Sequence, residues 1–120
     1  MNNIEVFKEL QKEIHQIAKS KGWYRKKPTV GELIALCHSE LSEALEEYRG
    51  FGKHNKKYLR IIAKDSLQDN KPVGFSVELA DCIMRILDMC EYLKLDIAKA
   101  IQMKIEYNKA RPYRHGNKTI

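Results

Sequence analysis

Three cysteines are too few, and too odd in number, to close into a disulfide framework. Cys37, Cys82 and Cys90 all fall on apolar arcs of helical wheels, so they read as reduced core residues of a cytoplasmic protein. No apolar run approaches the roughly 20 residues of a membrane span, so no membrane partner is expected. The opening residues do not have the form of a signal peptide. Long strand-like alternation is missing as well, which leaves helical periodicity as the main signal. Finally, the chain has no pair of Glu-x-x-His sequences, and with them goes the ligand set of a di-iron carboxylate bundle.

What is there fits one all-α domain over residues 1–120, long enough to bury roughly two thirds of its unfolded surface. Helix one is expected from Ile4 to Lys21 with Asn3 as cap, and Gly22 can end it in a left-handed conformation. Thr29-Val-Gly-Glu32 has the form of a capping box and opens helix two, which should end near Gly50. Helix three is expected from Gly74 to Leu93. Helix four follows from a cap at Asp96 to Arg111, where Pro112 discourages more helix. The connector is irregular. Within it Lys57–Ala63 fits a short helix or a strand equally, and Gln68–Pro72 reads as a turn.

Charge is uneven along the chain. Residues 1–50 balance eight basic against eight acidic side chains, whereas residues 51–77 hold six basic against two acidic. Such an excess suits phosphate-bearing partners, although scattered lysines most often form a solvated surface.

The chemistry concentrates in Glu40-Leu-Ser-Glu43 and its later echo Glu78-Leu-Ala-Asp81. Carboxylates three residues apart sit side by side on a helix of about 3.6 residues per turn. In both segments the first acid borders the apolar arc and the second lies just outside it. One such pair alone usually marks nothing more than a solvated face. Two helices built to the same plan can pack core to core and gather four acids at a shared rim. Four acids that close repel one another and call for a cation. Oxygen-only ligands select Mg²⁺, or Mn²⁺, over Zn²⁺. Glu43 and Glu47 are both candidates to take a proton from water. Glu47 also aligns with Arg85, with which it can form a structural pair instead.

Lys104, Asn108 and Arg111 share a stripe on helix four. They read either as a phosphate clamp or as a snorkelling surface edge. In the loop Trp23-Tyr-Arg-Lys-Lys-Pro28, Trp23 either covers the bundle's end or contacts a ligand.

With these residues in view, the chain resembles the MazG-like nucleoside triphosphate pyrophosphohydrolases, an all-α superfamily that includes dimeric dUTPases. The resemblance covers most of the chain. It is carried by Glu40-x-x-Glu43 within His38–Arg49, by Glu78-x-x-Asp81, and by the ending Lys104-Ile-Glu-Tyr-Asn108-Lys-Ala-Arg111-Pro-Tyr-Arg-His-Gly116. It implies a four-helix bundle that hydrolyses a nucleoside triphosphate to the monophosphate and pyrophosphate, in nucleotide-pool housecleaning. It further implies Mg²⁺ held by Glu40, Glu43, Glu78 and Asp81, phosphates met by Lys104, Asn108 and Arg111, and a base pocket with His15 and Trp23. A homodimer or homotetramer is the implied assembly, with no nucleic-acid partner. Residues 52–71 match no motif of the family. The competing readings are a nucleotide sensor without turnover and a basic regulatory module that binds nucleic acid.

Overall fold

The computed structural model describes residues 1–117 and 119, and only the backbone of His115 and Asn117. Four long helices dominate: α1 (Asn3–Ser20), α2 (Val30–Glu47), α3 (Phe75–Tyr92) and α4 (Ile97–Ala110), with a short α5 (Arg114–Asn117) beyond Pro112. Helix α1 starts at Asn3, its expected cap, one residue earlier than expected, so the cap is Asn2. The Asn2 side chain accepts from the Glu5 amide at 2.9 Å while Glu5 reaches back to the Asn2 amide at 3.3 Å, a reciprocal capping box. Thr29 caps α2 by accepting from the Glu32 amide at 3.1 Å, and Asp96 caps α4 through the Lys99 amide at 3.1 Å.

After Glu47, α2 widens into a π-helical turn over Tyr48–Gly52 rather than stopping at Gly50. The connector that follows has more order than its sequence shows. It holds a 3₁₀ turn (Lys56–Arg60) and an antiparallel hairpin of β1 (Ala63–Asp65) and β2 (Lys71–Val73). Lys57 and Ala63 therefore belong to different elements. Lys71 and Pro72, read from sequence as part of a turn, are strand residues, and the reversal is made by Asp69 and Asn70 in left-handed conformations.

Three ties fasten this connector. Tyr58 Oη donates to Glu47 at 2.7 Å, Ser76 Oγ donates to the Leu59 carbonyl at 2.9 Å, and Gly74 opens α3 at φ +132°. A Cβ on Gly74 would stand 2.6 Å from the Ile61 carbonyl oxygen, so that close backbone approach needs glycine.

Helix α3 is the centre. It packs against α2 on one side and α1 on the other. Both pairings are antiparallel: Cys37 and Glu43 of α2 meet Cys82 and Glu78 of α3, while Gln11 and His15 of α1 meet Glu91 and Asp88. The core between them is thin. Leu87 alone among the described large side chains is fully withdrawn from solvent. Helix α4 leans mainly on the start of α1 and leaves Met103 63% and Tyr107 56% exposed. The radius of gyration is accordingly 17.2 Å, against roughly 14 Å for a compact domain of this length. Among the described residues no helix is long and apolar enough to cross a membrane.

Candidate metal and ligand site

A cavity of about 510 Å³ opens where α1, α2 and α3 converge. Its walls follow from helix geometry. Leu33, Leu36, Glu40 and Glu43 on α2 repeat the spacing of Glu78, Asp81, Arg85 and Asp88 on α3, which keeps each set on one face. Ile14, Ile17 and Ala18 of α1 and Lys21 at its C-cap, with Trp23, Tyr24 and Pro28 of the following loop, close the other side. Acids dominate one part of the wall; aliphatic and aromatic side chains dominate the rest.

At the acidic part, Glu40, Glu78 and Asp81 each offer an oxygen within 4.8 Å of the others, and Glu43 lines the same wall. Glu40 is buried at 7% exposure and is held by Arg85, whose Nε donates to its Oε1 at 2.6 Å. That pair compensates one charge and leaves the others crowded. Burial pushes the Glu78 carboxyl up to about 7, and the Glu43 carboxyl beside it adds to the shift, followed by Asp81 and Glu40. Asp81 is raised as well, by burial first and then by Glu40, with Arg85, Glu43 and Lys71 acting in different directions. Glu78 Oε2 is buried and has no hydrogen-bond partner among protein groups. A buried acceptor without a donor is costly. Hard carboxylate oxygens gathered round it are the donor set that Mg²⁺ or Mn²⁺ takes, so the residues fit such an ion.

The four acids read from the sequence are thus brought together. Glu47 is not part of the wall. It accepts the Tyr58 hydroxyl instead, and its expected partner Arg85 is taken by Glu40. Lys104, Asn108 and Arg111 are not on the wall either. Helix α4 packs away from α2 and α3, and the two cations flank the Tyr107 ring at 4.9 and 5.3 Å. His15 lies behind the wall, its Nδ1 2.7 Å from Asp88 Oδ1, while Tyr24 Oη donates to Asp88 Oδ2 at 2.7 Å. Burial and the Asp88 carboxylate both raise the Tyr24 phenol, which keeps its proton and remains a donor. Trp23 lines the cavity and is 70% exposed.

Arg85 and Asp88 were missed although they had a signal, since they extend the face of Glu78 and Asp81 by two turns. Tyr24, Lys21 and Lys71 had none, because their place on the wall depends on loop and hairpin geometry. Comparison of the chain with models of protein families, with curated proteins and with solved structures found no match.

Proposed function

We propose that this cavity binds a nucleoside triphosphate with Mg²⁺ and hydrolyses it between the α- and β-phosphates, as in the MazG-like pyrophosphohydrolases that the sequence resembles. The observation that carries the reading is Glu78: a raised carboxyl with an orphaned buried oxygen, among three further acids, at one end of a cavity whose remainder is apolar and aromatic. An amphipathic ligand with a metal-binding anionic end and a flat apolar end matches both parts.

Glu40, Glu43, Glu78 and Asp81 would hold the ion, and Arg85 orients Glu40. When bound, the ion neutralises charge on phosphate oxygens and makes a water more acidic. Glu43 takes that water's proton, since Glu47 is bonded to Tyr58 outside the wall. Ile17, Pro28, Leu33 and Met84 exclude water from the far part, and Trp23 offers a face for a base. The thin core and the exposed apolar residues of α4 support a homo-oligomer in which those surfaces are covered. Three buried free thiols suit a reducing compartment such as the cytoplasm.

The test is a screen of ribo- and deoxyribonucleoside triphosphates with and without Mg²⁺, reading monophosphate, pyrophosphate and orthophosphate separately. Monophosphate and pyrophosphate in equal amounts are expected. Orthophosphate release would overturn α–β cleavage, and tight binding without any product would favour a sensor. Trp23 is the chain's only tryptophan and reports occupancy. Nucleotide with Mg²⁺ should quench its fluorescence more than pyrophosphate does, because stacking needs a base.

A further inference from the structure

The hairpin between α2 and α3 places a cation at the acidic end of the cavity, and three observations bear on what it does. Lys71 is the first residue of β2, and it shares a hairpin face with Val73, two residues on. Val73 is half-buried towards the bundle, so Lys71 is turned the same way and reaches the cavity wall beside Glu78 and Asp81. Pro72 restricts the Lys71 backbone to the extended region, which fixes that direction.

The second observation concerns charge. The residue directly across the hairpin from Lys71 is Asp65, the natural cross-strand partner for an ammonium. Its carboxylate is turned instead to cap the following 3₁₀ turn, accepting from the Leu67 amide at 2.9 Å. Among the described residues Lys71 makes no ion pair within 4.0 Å. Arg85, by contrast, is committed to Glu40. Lys71 is therefore an uncommitted cation on the wall that carries Glu78 and Asp81.

The third observation is anchorage. The Tyr58–Glu47 and Ser76–Leu59 hydrogen bonds, and the glycine contact at Gly74, hold the hairpin's base on α2 and α3. A side chain of ordinary surface function needs no such framing.

We propose that Lys71 is the anion-binding residue of this cavity and that it contacts the polyphosphate oxygens which the metal leaves uncovered. This rests on the nucleotide reading above and assigns to the hairpin a role that the resemblance implies for α4. A lone ammonium at a divalent-cation site has opposite effects on its two ligands. It repels the metal by itself and attracts the metal–phosphate complex.

The experiment is calorimetric titration with Mg²⁺ alone and with Mg²⁺ plus inorganic pyrophosphate, on the wild type, Lys71→Ala, Lys71→Arg and Lys64→Ala. Lys64 is an exposed lysine at the neighbouring register position and controls for diffuse charge. Circular dichroism checks that each variant keeps its helices. Lys71→Ala should weaken pyrophosphate binding by about tenfold or more, the usual range for a lost charge-assisted contact, while Mg²⁺ alone binds as well or better. Lys71→Arg should retain most pyrophosphate affinity, and Lys64→Ala should change it less than about twofold, as expected for a screened surface charge. Equal pyrophosphate affinity in Lys71→Ala and wild type would overturn the role of Lys71 alone. So would an equal loss in Lys64→Ala. A wild type that binds Mg²⁺ but never pyrophosphate or nucleotide would overturn the nucleotide reading and Lys71 with it.

Discussion

The α2–α3 pair and helix α4 each carry charged residues along an apolar edge, yet the two edges are in different physical states. Between α2 and α3 the charges are partly desolvated: Glu40 is buried and Glu78 and Asp81 are half-buried, although Glu43 stays exposed. Glu40 is 7% exposed, and burial is the largest influence on both Glu78 and Asp81. On α4, Lys104 and Asn108 are exposed, and among the described residues the only aromatic contact of the cations is the ring of Tyr107, itself 56% exposed. The difference comes from the partner, not from the helix. Helix α3 is flanked on two sides, so its acids face other acids across a cavity, whereas α4 meets mainly the start of α1. Charges that share a desolvated space perturb one another and gain chemistry; charges that keep their water do little beyond solubility.

The sharpest way to break this comparison is to neutralise one member of the acidic cluster. Glu78→Gln and Glu43→Gln should each lower turnover by at least about a hundredfold, the scale of losing a metal ligand rather than an outer contact. The metal-free protein should at the same time be as stable as the wild type or more so, since one repelling charge is gone. Steady-state rates and thermal melts check both halves. A variant that unfolds would make these acids structural, and full activity would remove them from the mechanism.

Acidity sharpens the comparison further. Glu78 titrates near 7 when folded, against 4.5 for an ordinary glutamate, and metal binding requires its ionised form. Mg²⁺ affinity should therefore fall as pH drops through 7. For a single carboxyl with that midpoint the ionised fraction falls about eightfold between pH 7.5 and 6, and calorimetry in buffers of different ionisation heat would also detect the displaced proton. Stability of the metal-free protein should move the opposite way. The folded state holds this proton more tightly than the unfolded chain, so the contribution is present below about pH 4.5 and is lost as pH rises through 7. An affinity flat from pH 8 to 6 would mean that Glu78 stays ionised throughout.

Helices and acids were legible in the sequence because both follow the 3.6-residue period. Glu40, Glu43, Glu78 and Asp81 border apolar arcs, and two such arcs have an obvious way to meet. The same period does not decide where Lys104, Asn108 and Arg111 act. A wheel gives the face of a helix but not the neighbour that the face meets, and α4 turns away from the cavity. The Glu47–Arg85 pairing failed for a related reason: in an antiparallel pair Arg85 lies nearer Glu40 by about two turns. The connector was illegible because three-residue strands are too short to show alternation. Their pairing depends on left-handed Asp69 and Asn70 and on the backbone approach at Gly74, none of which leaves a periodic trace.

The smallest expected effect belongs to α4 and decides whether the comparison holds in the assembled protein. Within one chain Lys104 and Arg111 reach only Tyr107, an exposed cation–π arrangement worth about 0.5–1 kcal/mol. Lys104→Ala and Arg111→Ala should then change kcat/KM by less than about threefold, well below the tenfold to hundredfold that follows loss of a charge-assisted phosphate contact. Their effect should also shrink with added salt, as for any solvated charge. The measurement needs the oligomeric state at the assay concentration, from light scattering, because the exposed face of Met103 and Tyr107, one helical turn apart, is where a second copy can sit. A loss of tenfold or more, seen only at concentrations where the oligomer forms, would place these cations over the cavity of a neighbouring copy. The same loss at concentrations where the chain is a monomer would instead require α4 to pack over its own cavity.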